Sequence, residues 1–390
     1  MDPKNRLNED ETDVNERINR VRARRPRFTD ERVTLAHGAG GKASAALVDA
    51  VFLDGYGNDV LAELGDAGVV PLNRLLAEEG AEAGAGAGAD LGSGAGAGST
   101  GVRVAMSTDS YVVNPIEFPG GSIGDLAVNG TVNDLAVSGA KPAVISAAFV
   151  LEEGLEVETL RRIVGDMRAA AAAAGVRIIT GDTKVVPRGA ADRLFITTAG
   201  IGLVPTGRVL GAAEVHRGDR LLVSGPIADH GMAVMLARGD LAIDAPIASD
   251  TRAVNGMVGA LLEAAPHTRW MRDATRGGVA TVLNELARAC GLGVVVEDDA
   301  VPVREMTRAA CDMLGLDPLY VANEGTFVAV VPADEAEAAL TAVRAVPGGE
   351  NAALVGRIVA EPAAAVVLVT GFGGTRMVDM LVGDPLPRIC

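Results

Sequence analysis

The sequence predicts a two-domain protein of the mixed α/β (α+β) class. Segments with the hydrophobic pattern of strands alternate with segments of helical spacing through both halves of the chain, an alternation typical of α/β layers. Hydrophobic residues make up 48% of the chain and aromatic residues only 3%, which suits closely packed helices and buried strands. Because 390 residues exceed what a single hydrophobic core usually supports, two domains are expected.

The first half contains four predicted strands and two predicted helices. The helix in GSIGDLAVNGTVNDLAVSGA has apolar residues at helical spacing and is expected to end at Gly139. The strand VRVAMSTDSYVV precedes this helix and ends in a polar turn. After the helix come the strand PAVISAAFVLE and the second helix, EVETLRRIVGDMRAAAAAAG, which stops at its glycine. The last two strands of this half are VRIITGDTKVV and DRLFITTAGIGLVP.

The second half starts a new series of strands and helices at GDRLLVSG. It continues through GMAVMLARG, VNGMVGALLEAA, TRGGVATVLNELARACG, LGVVVEDD and FVAVVP. We expect the division between the domains within 205–215. The predicted domains are therefore 33–205 and 206–365, followed by a mobile tail, 366–390.

Two segments are expected to stay outside the packed domains. Residues 1–32 are mostly charged and polar, with six arginines between Arg17 and Arg27, which indicates a disordered tail. A partner-binding arm is the alternative. Residues 80–100 alternate Gly, Ala and Ser and are interpreted as a flexible insertion within the first domain.

The composition excludes several classes of protein. The formal net charge of −16 and the scarcity of aromatic residues argue against nonspecific nucleic-acid binding and against a base-stacking platform. No apolar run approaches the ~18 residues that a transmembrane helix needs, and the charged N-terminus lacks the pattern of a secretory signal. Three widely spaced cysteines indicate neither a disulfide framework nor a zinc site. The sequence therefore predicts a cytoplasmic protein with no nucleic-acid or membrane partner.

A glycine-rich segment, HGAGGK, occupies residues 37–42. Glycines let backbone N–H groups approach a phosphate, and Lys42 adds a positive charge. The segment lacks the Walker pattern, so an ordinary turn is the alternative. The four histidines of the chain show no metal-ligand spacing and are expected to have surface or capping roles.

Three carboxylate motifs interrupt apolar segments of the first domain. They are Asp109 in STDS, Asn133 and Asp134 in VNDL, and Asp182 with Lys184 in TGDTK. We interpret their positions as the ends of strands and helices. Carboxylates there are typical ligands of hard divalent cations such as Mg²⁺, whereas capping of helices and turns is the alternative.

Three further features are less specific. RDATRGG (272–278) is explained by capping together with arginine recognition of an anion, and ANEGTF (322–327) places Glu324 before an apolar strand, where a solvated turn is the ordinary interpretation. Cys390 is the last residue and follows two prolines that stiffen the arm. A thiol on a stiff arm suggests a delivered nucleophile, although near neutral pH a thiol is mostly protonated.

Together these motifs resemble a known family. HGAGGK, STDSYVV, FPGGSIGDLAVNGTVNDLAVSGA, VLEEGL, TGDTKVV, LFITTAG, VSGPIADHG, RDATRGGV, ANEG and the final PRIC are similar to the hydrogenase maturation factor HypE family, carbamoyl dehydratases within the superfamily typified by aminoimidazole ribonucleotide synthetase. The likeness extends over residues 33–390, and TGDTKVV together with PRIC is its most specific part. The arginine-rich tail and the Gly/Ala insertion depart from the family pattern.

The resemblance implies a fold, a reaction and partners. It implies two α/β domains, the first of which binds ATP and pairs in a homodimer, and a flexible C-terminal tail that swings between a buried and an exposed pose. In this family a terminal cysteine accepts a carbamoyl group from the carbamoyltransferase HypF, ATP activates the amide oxygen, and loss of phosphate leaves a thiocyanate. The cyanide then passes to iron held by the HypC–HypD complex, on its way to a [NiFe]-hydrogenase.

The resemblance also assigns roles to residues. Cys390 would be the carrier nucleophile, and Lys184 with Glu324 would be the pair that removes the amide protons. The remaining assignments are Asp109, Asp134, Asp182 and Asp229 as Mg²⁺ ligands, and Gly40, Gly41, Lys42, Asn133 and Asp182 as contacts to ATP.

Two rival functions remain at this point. Selenophosphate synthetase, thiamine-phosphate kinase and the purine enzyme itself share ATP and Mg²⁺ binding, but none requires a final cysteine. Selenophosphate synthetase would also want a cysteine beside the glycine-rich lysine, where this chain has Ala36 and His37. A non-catalytic ATP-binding scaffold is the rival of a different class, although it would have no chemical use for Lys184, Glu324 and Cys390 together.

Overall fold

The computed structural model describes residues 34–38, 41–56, 58–72, 101–239, 245–381 and 388–390. Within these ranges, helices and strands are arranged around two large β-sheets, so the predicted mixed α/β class is confirmed. The predicted charged tail, 1–32, and the Gly/Ala insertion, 80–100, lie outside the described residues.

The elements follow the predicted series closely. The strands are β1 Gly68–Pro71, β2 Arg103–Tyr111, β3 Glu117–Phe118, β4 Gly121–Ser122, β5 Lys141–Glu152, β6 Arg177–Val186, β7 Leu194–Val204, β8 Arg220–Val223, β9 Trp270–Asp273, β10 Gly293–Glu297, β11 Phe327–Val331, β12 Ala353–Val359, β13 Val366–Val369 and β14 Thr375–Val378. The α-helices longer than one turn are α1 Lys42–Leu47, α2 Ile123–Val137, α3 Val157–Ala174, α4 Asp229–Ala237, α5 Asn255–Ala264, α6 Gly278–Cys290, α7 Glu305–Leu314 and α8 Ala336–Arg344.

The first sheet has the strand order β1–β2–β7–β5–β6, in which β5 and β6 are parallel and all other neighbours are antiparallel. Helices α2 and α3 pack against one face and form a core with the inward-facing side chains of the strands. Helix α2 starts with a capping box: Ser122 accepts the N–H of Gly124 at 3.1 Å, and Asp125 accepts the N–H of Ser122 at 2.8 Å. This box fixes where the helix begins and therefore which of its residues face β2.

Helix α2 approaches β2 closely because it carries Gly130. A Cβ atom at this position would lie 2.2 Å from the hydroxyl oxygen of Tyr111, so a larger residue would push the helix away from the strand. The close approach brings Asp134, one turn further along α2, against Ser107 of β2, whose hydroxyl donates to the Asp134 carboxylate. The packing of one helix on one strand thus carries a carboxylate into the interior.

The second sheet has the order β14–β13–β10–β12–β8–β11–β9, with β10 and β13 parallel and the other neighbours antiparallel. Helix α6 covers one face, and α5 and α8 cover the other. Both faces of the sheet are therefore buried, which explains the continuous apolar runs in its central strands. None of the helices in the described ranges is long and apolar enough to span a bilayer; the cytoplasmic location stays a prediction.

Two expectations from the sequence differ from the structure. The STDS motif is predicted as a polar turn, but Ser107–Ser110 lie inside β2, because alternate polar side chains there point towards α2. The tail is predicted to begin at residue 366, with a glycine hinge after Gly371. Instead, β13 and β14 pair as the last hairpin of the second sheet, and the Thr370 N–H donates to the Gly374 carbonyl across the turn at 2.8 Å.

The last three residues of the chain lie against the first domain. The N–H of Val112 donates to the carbonyl of Cys390 at 3.1 Å, and the N–H of Asn114 donates to the carbonyl of Arg388 at 3.3 Å. Ile389, between them, is 2% exposed and belongs to the core formed under the first sheet. Residues 388–390 are therefore docked in the fold, whereas 382–387 lie outside the described residues.

Candidate functional site

A cluster of three carboxylates lies between the two domains. Asp66 precedes β1, Asp134 projects from α2 towards β2, and Asp273 is the last residue of β9. Each side chain offers one oxygen, and these oxygens all lie within 4.8 Å of one another. Three carboxylates at such distances are the ligand chemistry of a hard divalent cation.

Burial and mutual repulsion raise the pKa of every member of this cluster. The pKa values of Asp134 and Asp273 are raised well above the ordinary range, first by burial and then by neighbouring carboxylates, including Asp109 in both cases. Burial raises the pKa of Asp66 to about 6, although Arg272, whose Nε lies 2.7 Å from Asp66 Oδ1, opposes the rise. A divalent cation would remove this repulsion, so the residues present fit a cation.

Asp109 links the cluster to the docked tail. It lies in β2 and accepts a hydrogen bond from the hydroxyl of Tyr111 at 3.1 Å. Its charge helps to raise the pKa of Asp134 on one side and of Glu324 and Cys390 on the other. The carboxylate cluster and the tail therefore belong to one electrostatic site.

Glu324 is held in this site by its own backbone. Asp250 accepts the N–H groups of Glu324 and Gly325 at 2.9 and 3.0 Å, and the hydroxyl of Thr326 at 3.0 Å. The Glu324 side chain is 3% exposed, and its Oε1 has no hydrogen-bond partner among the described residues. Burial, Asp273, Asp250 and Asp109 raise its pKa well above the ordinary range, while Arg276 lowers it. The carboxyl is thus predisposed to hold a proton.

Cys390 brings its thiol to this carboxyl. Burial raises the pKa of the thiol far above its usual value, and the charge of Glu324 together with a hydrogen bond to its carboxyl raises it further, whereas Arg276 lowers it. The docked thiol is consequently protonated at neutral pH, because a thiolate needs a lowered pKa. Cys290 and Cys311, the other two cysteines, are also free.

Two site residues predicted from the TGDTK motif lie away from the carboxylate cluster and from Cys390. Asp182 and Lys184 are on β6, the edge strand of the first sheet, and pair with each other at 2.7 Å. β7 and β5 separate β6 from β2, which corresponds to about 14 Å across the sheet. Within one chain the structure therefore does not bring Lys184 to Cys390 or Asp182 to the carboxylate cluster.

Asp229 is also outside the cluster. It lies at the start of α4, 2% exposed, and its Oδ2 accepts from Arg304 Nε at 2.7 Å while its Oδ1 accepts from the hydroxyl of Thr307. Both oxygens are used to join α4 to α7. The metal-ligand role that the resemblance implies for Asp229 is untested, and the contacts of Asp229 in the structure are those of a residue that joins two helices.

The predicted nucleotide contacts are mostly engaged by the protein itself. The amide of Asn133 donates to the carbonyls of Arg252 and Glu324 at 3.0 and 3.2 Å and accepts the N–H of Val254 at 2.8 Å. Both of its N–H groups are therefore occupied, and the residue holds two loops together instead of facing a ligand.

The glycine-rich segment contacts the beginning of the tail. A Cβ atom on Gly41 would lie 2.6 Å from the carbonyl oxygen of Leu381, and Lys42 Nζ lies 2.9 Å from Asp379 Oδ2. The glycine is needed here for close backbone approach to the tail segment. Gly40 lies outside the described residues.

Sequence reasoning missed four residues of the site: Asp66, Asp250, Asp273 and His230. Asp273 lies in the RDATRGG motif, which the sequence explains by capping and anion recognition; its position at the end of a strand is the signal that points to the site. Asp66 and Asp250 are in loops without a recognisable pattern. His230, for which the sequence predicts a surface or capping role, is fully buried and contacts the tail.

The arrangement combines three chemical capacities. A carboxylate cluster fits a divalent cation, a buried carboxyl with a raised pKa can take up a proton, and a thiol lies beside that carboxyl. A substrate group attached to the sulfur of Cys390 would therefore lie next to a proton acceptor and close to a cation site.

Comparison with known proteins gives the family of the chain. Residues 92–204 match the family described as AIR synthase related protein, N-terminal domain, and residues 216–369 match AIR synthase related protein, C-terminal domain. The chain is 51% identical over 364 residues to the carbamoyl dehydratase HypE of Rhodobacter capsulatus, an alignment that covers 93% of this chain and 99% of the relative.

Solved structures give the same picture. A crystal structure of a HypE–HypF complex superposes with a TM-score of 0.75 at 39% identity, covering 86% of this chain and 100% of the solved one. A crystal structure of the hydrogenase maturation protein HypE in complex with ATP superposes with a TM-score of 0.70 at 42% identity, covering 92% and 100% of the two chains.

Proposed function

The chain belongs to the HypE family of carbamoyl dehydratases that act in hydrogenase maturation, and from this membership we propose that it uses ATP to convert an S-carbamoyl group on Cys390 into a thiocyanate. The observation that carries the proposal is the docked position of Cys390, whose thiol lies against Glu324 at the edge of the carboxylate cluster. The thiocyanate is the source of a cyanide ligand for the iron of a [NiFe]-hydrogenase.

The reaction removes one oxygen and two protons from the carbamoyl group. The amide oxygen is a poor leaving group, and phosphorylation by ATP makes it a good one. The sum is a thiocarbamate and ATP giving a thiocyanate, ADP, hydrogen phosphate and one proton. A base close to the sulfur of Cys390 must take each N–H proton in turn; one of them leaves on the released phosphate and the other is released to water.

Glu324 supports this base role by its position and its pKa. It is buried beside Cys390, and burial with three neighbouring carboxylates raises its pKa well above the ordinary range. A carboxylate with a raised pKa is a stronger base than a solvated one, provided that it is ionised when it acts. A cation in the neighbouring cluster would offset the charges of Asp273 and Asp109 that raise the Glu324 pKa, and would so favour the ionised form. Its orientation depends on Asp250, which accepts from the backbone of Glu324.

Mg²⁺ is proposed as the cation of the carboxylate cluster. Asp66, Asp134 and Asp273, with Asp109 beside them, would hold it. Their pKa values are raised first by burial and then by repulsion from neighbouring carboxylates, which a cation would relieve. When bound, the ion supplies positive charge against the phosphates of ATP. Asp229 is not part of this proposal, because its oxygens are already used by Arg304 and Thr307.

The docked thiol supports a separation of carbamoyl acceptance from dehydration. Beside Glu324 the pKa of Cys390 is raised, so the docked thiol is a poor nucleophile. Acceptance of the carbamoyl group from HypF, and delivery of the cyanide to the HypC–HypD complex, are proposed to occur with the tail released.

A homodimer is proposed to complete the site. The outer face of the first sheet exposes Met106, Ile201 and Leu203 at 53%, 42% and 47%, and cross-strand pairing of Met106 with Ile201 joins them in one apolar face. Such a face is typical of a protein interface. Pairing of two such sheets would bring the exposed edge strand β6, and with it Lys184, towards the other protomer's Cys390.

The experiment that tests the function follows the mass of the carrier. The carbamoylated protein is incubated with Mg-ATP, and the intact mass is measured over time. We expect the adduct to lose one water in wild type, and we expect no adduct in Cys390→Ala. ATP hydrolysis with a carbamoyl adduct that never loses water would remove the dehydratase proposal and favour a scaffold or kinase-like function.

A further inference from the structure

A buried histidine contacts the peptide bond that leads to Cys390. His230, in the first turn of α4, is fully buried, and its Nε2 lies 2.7 Å from the carbonyl oxygen of Ile389. That carbonyl belongs to the peptide unit joining residues 389 and 390. A hydrogen bond at this atom fixes the plane of the peptide unit and so the direction in which the side chain of Cys390 leaves the backbone.

The surrounding hydrogen bonds define the tautomer of His230. The carbonyl of Ile389 can only accept, so Nε2 carries the proton. On the other side of the ring, Nδ1 lies 2.8 Å from Ser249 Oγ, which already accepts the N–H of Thr251 at 3.0 Å. A serine hydroxyl has one proton and two lone pairs, so it can donate to the unprotonated Nδ1 of a neutral ring while it accepts from Thr251, and the single N–H of that ring is then directed at the tail.

The ring itself is held in place by packing. Phe118 meets it edge-on, with ring centroids 5.6 Å apart and an interplanar angle of 85°. Desolvation by burial lowers the pKa of His230, which favours the neutral ring and so selects the tautomer with its proton on Nε2. A ring that is buried against Phe118 and hydrogen-bonded at both nitrogens is pre-organised for one geometry of its acceptor.

A second side chain contacts the tail backbone one residue earlier. Arg238, one residue beyond the end of α4, donates from its NH2 to the carbonyl of Arg388 at 2.8 Å and from Nε to the carbonyl of Asn114 at 2.8 Å. His230, at the start of α4, and Arg238, just after its end, thus contact the consecutive carbonyls of Ile389 and Arg388. The contacts define the register in which the tail docks, because a shift by one residue would remove both.

We propose that His230 is a positioning residue for the reaction at Cys390, acting through its hydrogen bond to the Ile389 carbonyl to direct the sulfur of Cys390 towards Glu324. The effect of His230 on dehydration rests on the proposed function. Its role in docking the tail rests only on its hydrogen bond to the Ile389 carbonyl. His230 touches neither the thiol nor the carbamoyl group, so it acts through the orientation of the tail.

The test measures docking and chemistry separately. In full-length protein, alkylation of Cys390 by iodoacetamide is followed by peptide mass for wild type, His230→Leu, His230→Gln and the control His267→Leu, which removes an exposed histidine paired with Glu335. Loss of a hydrogen bond to a buried carbonyl is expected to increase alkylation of Cys390 about tenfold in His230→Leu. His230→Gln retains an N–H donor and is expected to restore much of the protection.

The outcomes are distinguishable from failure of the proposed function. Equal alkylation rates in His230→Leu, wild type and the control would overturn the docking role, whatever the enzyme does. With the docking role intact, dehydration of carbamoylated Cys390 is expected to slow in His230→Leu while carbamoyl acceptance stays unchanged; equal slowing of both steps would overturn the positioning role. If His230→Leu fails to fold, Ser249→Ala removes the hydrogen bonds of the serine hydroxyl to His230 and to the Thr251 N–H and is expected to give a smaller increase in alkylation; no increase would overturn the inference.

Discussion

The thiol of Cys390 and the carboxyl of Glu324 lie side by side under the docked tail, and the carboxyl raises the pKa of the thiol by its charge and by a hydrogen bond. The same carboxyl is 3% exposed and carries a raised pKa of its own. A group attached to the sulfur therefore meets a proton acceptor before it meets water.

Removing this acceptor should stop dehydration and leave carbamoyl acceptance intact. Glu324→Gln keeps the shape of the side chain but cannot take up a proton, and loss of a general base typically costs 10²–10⁴-fold in rate. We expect the carbamoyl adduct of Cys390 to accumulate in the presence of Mg-ATP, as measured by intact mass. Glu335→Gln, a change at the carboxylate that pairs with His267, serves as the control. Wild-type dehydration in Glu324→Gln would exclude Glu324 as the base.

The same variant should change the titration of the thiol. Because Glu324 raises the pKa of Cys390, Glu324→Gln is expected to lower it, so that the docked thiol ionises at a lower pH than in wild type. The measurement is the ultraviolet absorbance of the thiolate across a pH series, with the matching Cys390→Ala protein subtracted in each background. An unchanged midpoint would mean that the two side chains do not interact in solution.

Cation binding should compete with protons. Burial raises the pKa of Asp66 to about 6, so in the cation-free folded protein this carboxyl binds protons that the unfolded chain has released. Its contribution to stability therefore falls as the pH rises from about 4 towards about 6. We expect Mg²⁺ to increase the melting temperature more at pH 7.5 than at pH 5, because at the lower pH protons occupy the cluster.

Two variants test whether the carboxylate cluster is the site at which Mg²⁺ stabilises the protein. Asp273→Asn removes one carboxylate of the three whose oxygens lie within 4.8 Å, and the stabilisation by Mg²⁺ should largely disappear. Asp229→Asn, in contrast, should retain it, since Asp229 is engaged by Arg304 and Thr307. If Asp229→Asn abolished the Mg²⁺ effect and Asp273→Asn did not, the proposed ligand set would be wrong.

Lys184 should act across the dimer. Mixing Lys184→Ala with Cys390→Ala protomers gives hybrid dimers in which one site combines an intact Cys390 with the other protomer's Lys184. Random exchange of symmetric protomers makes about half of the dimers hybrids with one active site each, so we expect about a quarter of the wild-type dehydration rate. The measurement is the rate of water loss after the two variants have exchanged subunits.

Each variant alone supplies the baseline for this mixture. If the mixture were no more active than the sum of the two variants, Lys184 would act within its own chain or not at all. The distance of about 14 Å between β6 and β2 within one chain would then require another explanation for the role of the TGDTK motif.

Asn133 should matter for stability more than for nucleotide binding. Asn133→Ala removes three hydrogen bonds that join two loops, at a cost of about 2–4 kcal/mol in the free energy of unfolding. Asn255→Ala is the matched control, since its side chain donates one hydrogen bond, to the Ala174 carbonyl. Urea unfolding measures both, and a weaker affinity for ATP at unchanged stability would restore the nucleotide role predicted from the sequence.

Much of the fold could be predicted from the sequence because local signals were strong. The Gly139 stop, the alternation of strands and helices and the buried strands of the second domain all follow from periodicity and turn residues. The polar STDS motif was assigned to a turn, because the sequence does not show that α2 would approach β2 closely enough to cover Ser107 and Asp109. That approach depends on Gly130, whose role is visible only when both elements are placed.

The site could be predicted in chemical type but only partly in membership. Asp109 and Asp134 were selected as carboxylates in apolar surroundings, and they do lie near each other. Asp182 was selected by the same criterion and lies on an edge strand, because strand order cannot be read from the pattern of one strand. Asp66 and Asp273 join the cluster only through contacts between distant segments, which no local pattern records.

The burial of Ile389 sets a threshold for any protein that must reach Cys390 away from Glu324. Transfer of an isoleucine side chain from a core to water costs about 2 kcal/mol, so the docked state outnumbers the released state by about thirtyfold before the hydrogen bonds of the tail are counted. A partner that recognises only the released tail would bind with an apparent affinity weakened by that same factor. Such a partner gains most affinity by first binding a fixed surface of the two domains. It is then already in place to bind the tail whenever residues 388–390 leave their docked position.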